Sequence, residues 1–177
     1  MAEVETLAVV GADDIAALTA LLADAVEHDA SVGYVVPFVH DELAAYWRGV
    51  ARDVAGGSKV LMVVRAEGRI VGTTQLELCM KPNGTHRAEV QKVLVHSSAR
   101  RRGIGRTMLQ AAESEARRRG RHLLVLDTES GSGAQSLYAG EGYSVSGQIP
   151  EFARGNRGGF VATTYMYKLL QRSGGMA

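Results

Sequence analysis

Between Gln91 and Gln110 the chain reads "QKVLVHSSARRRGIGRTMLQ". An apolar run, Val93 to Val95, enters a polar turn. The turn reaches Gly103-Ile104-Gly105, and from there apolar residues recur at Ile104, Met108, Leu109, Ala112 and Ala116. That spacing is one face of a helix. A strand must therefore hand over to a helix through a loop that carries almost no side-chain bulk. The first turn of a helix leaves backbone N–H groups without acceptors, and its dipole favours negative charge there. Glycine lets backbone approach such a ligand closely. Strand, R-x-x-G-x-G and helix together make a recipe for holding a pyrophosphate.

The same stretch contains Arg100, Arg101, Arg102 and Arg106, which raises a nucleic-acid reading. The formal net charge of +1 over 177 residues weighs against it. No aromatic residues interleave with the arginines for base stacking. A Rossmann fingerprint is excluded because its third glycine falls at Met108. A small-molecule phosphate site is the better reading.

The rest of the chain reads as one domain over residues 1–170 with a loose tail at 171–177. "EVETLAVV" is a strand. A helix follows with Ile15, Leu18, Leu22 and Val26 on one face, and Asp13 is placed to cap it. "DELAAYWRGVARDVA" is a second helix, stopped by Gly56 and Gly57. "KVLMVVRAEGRIVGTTQLELCM" is a hairpin turning at Glu67-Gly68, with Cys79 expected as a buried strand residue. "HRAEVQKVLV" is the strand that enters the glycine loop. "HLLVLDT" is apolar enough to be buried on both faces. "SGAQSLYAGEGY" is a short helix, and "YSVSGQI" and "FVATTYMYKLL" close the chain as a hairpin. The order β-α-α-β-β-β-α-β-α-β-β defines an α/β (α+β) fold, a mixed sheet with helices on its faces.

Hydrophobic content of 46% and charged content of 22% suit a soluble protein. One cysteine gives no internal disulfide, and the scattered histidines give no metal site. The N-terminus lacks a signal-peptide pattern, and no apolar run reaches the roughly 20 residues of a membrane span. A cytoplasmic location, no membrane and no metal are expected.

"VLVHSSARRRGIG" resembles the acyl-CoA-binding signature of the GNAT superfamily of N-acetyltransferases, with Arg100, Gly103 and Gly105 at its fixed positions. "AQSLYAGEGY" is similar to a second family feature, carried by Ala134, Leu137, Tyr138, Gly142 and Tyr143. The family's usual asparagine three residues before that alanine is Gly131 here. "HDASVGYVVP", "LCMKPNGTHRAEVQKVLVHSSARRRGIGR" and "LLVLDTESGS" resemble the tabtoxin-resistance branch, which acetylates a β-lactam-containing amino acid.

The resemblance implies a mostly antiparallel sheet of about seven strands whose two central strands splay apart. It implies acetyl-CoA as cosubstrate, with the pyrophosphate on the backbone of Arg101, Arg102, Gly103, Ile104, Gly105 and Arg106 and with arginine side chains, Arg100 among them, pairing the remaining phosphate charge. The pantetheine arm would run along Val93, Leu94 and Val95, near Ser136 and Tyr138. Glu89 is the first candidate for the base and Asp127 the second, each with ammonium binding as an equal alternative. A backbone N–H at Leu94 or Val95 would hold the oxyanion, and Tyr138 would protonate the leaving thiolate. Trp47, Tyr34 and Phe38 lie towards the acceptor side, with packing favoured for Trp47. His28 and His96 read as surface residues. The acceptor is a small primary amine, a toxin or antibiotic of the tabtoxinine-β-lactam kind among the candidates. A polyamine, amino acid, aminoglycoside or protein N-terminus remains open, as does a non-catalytic acyl-CoA-binding module. Closing strands of this fold often pair between chains, so a homodimer is a further expectation.

Overall fold

The computed structural model of the chain describes residues 3–171, so the tail expected at 171–177 lies outside the described residues except for Gln171. Seven strands form one sheet in the order β1-β2-β3-β4-β5-β7-β6. The elements are β1 (Val4–Leu7), α1 (Ala12–Glu27), α2 (His40–Ala55), β2 (Lys59–Ala66), β3 (Arg69–Leu78), β4 (Arg87–Val95), α3 (Ile104–Arg118), β5 (Leu123–Glu129), α4 (Gly133–Gly140), β6 (Ser144–Arg154) and β7 (Phe160–Leu169). Every neighbouring pair is antiparallel except β4–β5. This is the expected mixed sheet.

Each face of the sheet has its own core. Helices α1 and α2 bury Leu18, Leu22 and Trp47 against Leu61, Val63 and Leu94. Helix α3 buries Leu109, Ala112 and Ala116 against Val60, Met62, Leu76 and Leu124. Trp47 is fully enclosed, so its role is packing.

Four local expectations need correction. Helix α1 is capped at Gly11, whose N–H donates to Asp14 Oδ2 at 3.1 Å, so Asp13 lies inside the first turn. Strand β1 is only Val4–Leu7. Cys79 sits one residue beyond β3, half-buried, with Arg87 donating to its Sγ at 3.5 Å. Strand β5 is buried on one face only. Leu124 and Leu126 enter the core, whereas Leu123 and Val125 are half-buried and Asp127 is exposed. The α1–α2 core contains no residue of β5, and a gap opens in the sheet beside its second half.

That gap opens because β4 and β5 pair only at Arg87–Leu123, Ala88–Leu124 and Glu89–Val125. Beyond Glu89 the strands diverge. A β-bulge helps them do so: Thr73 pairs with Leu94 but Gln75 with Gln91, so β4 spends one more residue than β3 over this stretch. Lys92 takes the left-handed backbone, φ 49°, which a lysine rarely adopts. Bulges bend the strand and re-aim its side chains. Here Ala88, Val90 and Val93 pack on the α3 side, while Leu94 joins the α1–α2 core.

Candidate active site

A cleft of about 1260 Å³ follows this gap from the N-terminus of α3 to the α1–α2 face of the sheet. Its two ends differ in construction.

The α3 end is backbone. Helix α3 starts at Ile104, and its first return bond runs from Thr107 N–H to the Gly103 carbonyl at 3.0 Å. The N–H groups of Ile104, Gly105 and Arg106 therefore have no helical acceptor. Arg101 and Gly103 both lie in the left-handed region, at φ 63° and 79°. Alternation of this kind turns successive N–H groups inward to form an anion-binding concavity. Gly105 faces α4, where an added Cβ would stand 3.1 Å from Leu137 Cδ2.

The arginines around this loop take separate tasks. Arg100 Nε donates to the Val95 carbonyl at 3.2 Å, and Arg106 Nε pairs with Glu141 Oε1 at 2.7 Å. Arg101 and Arg102 are exposed at the rim. The loop is anchored from behind by Asp24 of α1. Asp24 accepts from Ser97 N–H at 2.7 Å and from Ser97 Oγ at 2.6 Å. Burial pushes its carboxyl up, but the Ser97 bonds and the nearby His96 and His28 outweigh burial and hold it below the usual carboxylate range. His28 and His96 thus stand beside Asp24, within 3.4 and 3.7 Å.

The middle of the cleft is the free edge of β4. His96 N–H donates back to Val71 of β3 at 2.9 Å. Alternation along the strand sends the Leu94 N–H the same way and turns those of Val93 and Val95 into the gap. Tyr138 of α4 lines the opposite wall, and its ring lies 5.9 Å from that of Tyr143. Burial raises the Tyr138 phenol well above its ordinary value, with the Asp127 charge adding to it. The hydroxyl therefore keeps its proton at neutral pH. Gly131, at φ 77°, opens the turn into α4, and its N–H donates to Gln135 Oε1 at 2.6 Å. Asparagine is one of the few other residues at ease in this backbone region, so the exchange keeps the turn and removes the amide side chain.

The far end is made of side chains. Glu77 and Glu89 are cross-strand partners. Gln91 Nε2 bridges them, donating to Glu77 Oε2 at 2.8 Å and Glu89 Oε1 at 3.0 Å. Lys59 Nζ lies 3.4 Å from Glu77 and donates to Gln91 Oε1 at 3.2 Å. Asp127, on β5, accepts from Thr163 Oγ1 at 2.8 Å through one carboxylate oxygen. Tyr46 closes the floor. Its hydroxyl donates to Gln75 Oε1 at 3.1 Å, and burial pushes its pKa up to about 12. The β6–β7 loop is tied to the end of α1 and to the α1–α2 loop. Asn156 Nδ2 donates to the Val26 carbonyl at 2.8 Å and its Oδ1 accepts from Val36 N–H at 3.1 Å.

One cavity thus brings together Glu89, Asp127, Tyr138, the β4 edge and the glycine loop. Tyr46, Gln91 and Lys92 also line it, and the sequence reading missed them. Tyr34 and Phe38 pack on the α1–α2 core. Only the position of Gln91 and Lys92 beside Glu89 hinted at their place. Tyr46 lies beside Trp47 on a helix that the sequence gives no reason to aim at the cleft.

A splayed strand edge beside a glycine-opened helix offers a seat for a ligand that carries both phosphate and an amide-rich arm. Residues 23–143 match the model of the Acetyltransferase (GNAT) family, and the chain belongs to that family. The chain is 28% identical, over 142 residues, to the L-methionine sulfoximine/L-methionine sulfone acetyltransferase of Pseudomonas paraeruginosa, covering 80% of this chain and 81% of that protein. Among solved structures, the ribosomal-protein-alanine N-acetyltransferase of Brucella melitensis superposes with a TM-score of 0.77 at 26% identity, covering 95% of this chain and 99% of that one. A Salmonella typhimurium protein solved with acetyl-CoA as its cofactor gives 0.77 at 23% identity, covering 100% and 98%. The protein is a GNAT N-acetyltransferase, and acetyl-CoA is the family's donor. Its residues fit that donor: orphaned N–H groups for a pyrophosphate, and a free strand edge for an amide-rich arm. No helix among the described residues is long and apolar enough to cross a membrane.

Proposed function

We propose that this enzyme acetylates the primary amine of a small molecule by direct transfer, with Glu89, Asp127 and Tyr138 as its proton-handling groups. The observation that carries the reading is the single cleft that joins an anion cradle, a free strand edge and a carboxylate-lined well.

Bound acetyl-CoA supplies an acetyl group activated as a thioester. The backbone of Arg101, Arg102, Gly103, Ile104, Gly105 and Arg106 binds its pyrophosphate, and Arg100, whose Nε braces the loop at Val95, offers the rest of its guanidinium to phosphate. The arm pairs with the edge at Val93 and Val95, passing Ser136. The Val95 N–H, aimed into the gap, is better placed than that of Leu94 to donate to the carbonyl oxygen as it gains charge.

The acceptor nitrogen must lose a proton before it attacks. Glu89 or Asp127 receives it, directly or through water. A carboxyl with an ordinary pKa of about 4 is a weak base for an ammonium near 10, so binding the ammonium is the other half of this role. As the new C–N bond forms and the C–S bond breaks, Tyr138 Oη gives its proton to the sulfur. Its raised pKa keeps it protonated before the step and makes it a weaker acid, so the transfer draws on the charge that develops on the sulfur beside it.

The relative that acts on methionine sulfoximine and methionine sulfone supports a small acceptor with an amino-acid backbone. The tabtoxin-like segments support the same class, and tabtoxinine-β-lactam is our candidate toxin. The experiment is free-thiol release from acetyl-CoA with L-methionine sulfone, tabtoxinine-β-lactam, a polyamine, an aminoglycoside and an N-terminal peptide. The expected result is the highest kcat/KM among the first two. Preference for the peptide or polyamine overturns the small amino-acid reading. Strand β6 is an edge strand, and Val145, Ile149, Phe152, Phe160, Tyr167 and Leu169 are exposed on the closing hairpin. They support a homodimer, and sedimentation of a monomer would refute it.

A further inference from the structure

Lys92 is a charged group of the cleft that the acetyl-transfer reading leaves unused. Regular alternation after Ala88 and Val90 would aim residue 92 into the α3-side core. The bulge, with Lys92 at φ 49°, turns the side chain to the opposite face. Its Nζ there lies 5.2 Å from the centroid of the Tyr46 ring. Backbone strain at a cleft residue marks a position that the surrounding structure holds in place.

The charges around it are already partly spent. Lys59 is engaged by Glu77 and Gln91. No carboxylate among the described residues forms an ion pair with Lys92, although Asp127 and Glu89 are near enough to act on it. Burial lowers the Lys92 pKa first, Lys59 lowers it further, and Asp127 and Glu89 oppose them. A half-buried ammonium with only an aromatic face against it gains most from an anion that arrives with the substrate.

We propose that Lys92 binds the carboxylate of the acceptor, so that the cleft selects zwitterionic α-amino acids whose ammonium lies towards Asp127 and Glu89. This rests on the acetyl-transfer reading and deepens it by naming the acceptor class. The ammonium nitrogen and the carboxylate carbon of an α-amino acid are both bonded to the same carbon. They demand a cation and a carboxylate side by side, which is the pairing that the bulge creates.

The test compares L-methionine sulfone with its carboxamide and with the amine that lacks the carboxyl. Thiol release gives kcat/KM, and calorimetry on the protein saturated with CoA gives affinity. In the wild type the acid should exceed the carboxamide by about tenfold to a hundredfold in both readouts. In Lys92→Met the ratio should fall to near one, and Lys92→Arg should restore most of it. Equal use of acid and carboxamide by the wild type overturns the Lys92 assignment and leaves acetyl transfer intact. So does a Lys92→Met variant that keeps the wild-type ratio, or one whose main change is a raised KM for acetyl-CoA. Carboxylate-selective, Lys92-dependent binding without thiol release with any amine supports Lys92 and overturns the transfer reading instead.

Discussion

The two ends of the cleft are built by different means. At the α3 end the groups that we propose for the ligand are main-chain N–H groups from a run of six residues, Arg101 to Arg106. At the acceptor end they are side chains from α2, β2, β3, β4, β5 and β7: Tyr46, Lys59, Glu77, Glu89, Asp127 and Thr163. A local backbone site needs only a permissive sequence and a helix start. A side-chain site needs the whole sheet in register. The first should tolerate changes of side-chain charge, and the second should not.

The sharpest division between the ends comes from Tyr138, which stands between them. Tyr138→Phe should lower kcat by about 100-fold or more, the usual worth of a positioned acid, while acetyl-CoA affinity stays within a factor of a few. An unchanged kcat would remove Tyr138 from the chemistry. Next in size are Glu89→Gln and Asp127→Asn. Each should lower kcat/KM for the acceptor by about tenfold to a hundredfold. The variant that loses the base should also lose the acidic limb of the pH profile. If both keep that limb, neither carboxylate is the base.

Smaller effects belong to the backbone end. Gly105→Val should weaken acetyl-CoA binding by about tenfold, because the new Cβ presses on Leu137 and parts α3 from α4. Calorimetry with CoA would check it, and unchanged affinity would mean that the first turn of α3 is not the cradle. Gly103→Ala meets no neighbour within 4 Å, so only its φ of 79° opposes it. It should cost about 1 kcal/mol and lower Tm by about 2–4 °C. A loss much larger than that would mean that the loop carries packing as well as conformation.

The same division explains what could be read from the sequence. The glycine loop, the α3 apolar face and the element order are local signals, so they were legible. The A-x-x-L-Y segment also fell where expected, on α4. Lys92 was not legible, because a non-glycine bulge leaves no local mark and depends on the pairing of β4 with β3. Burial of β5 was not decided locally either: an apolar run does not say how far the helices reach, and the α1–α2 core contains no residue of β5. Asp13 lost the cap to Gly11 because the helix begins two residues earlier than a cap at Asp13 requires, and Asp14 then reaches back to the cap. The arginines stood out as a charge run, yet Arg100 and Arg106 are committed to Val95 and Glu141.

The divergence of β4 from β5 also bears on how the molecule holds together. Among the described residues, the ladder between β4 and β5 runs only from Arg87 to Glu89, and the α3 core packs across both half-sheets. An arm laid along Val93 and Val95, as we propose, would supply the missing rung, so the donor would act as a removable eighth strand. Each turnover would then tighten and loosen the seam between the two half-sheets. Ligand binding to the folded form raises stability by mass action, so the enzyme is most resistant to unfolding when it is charged with its donor.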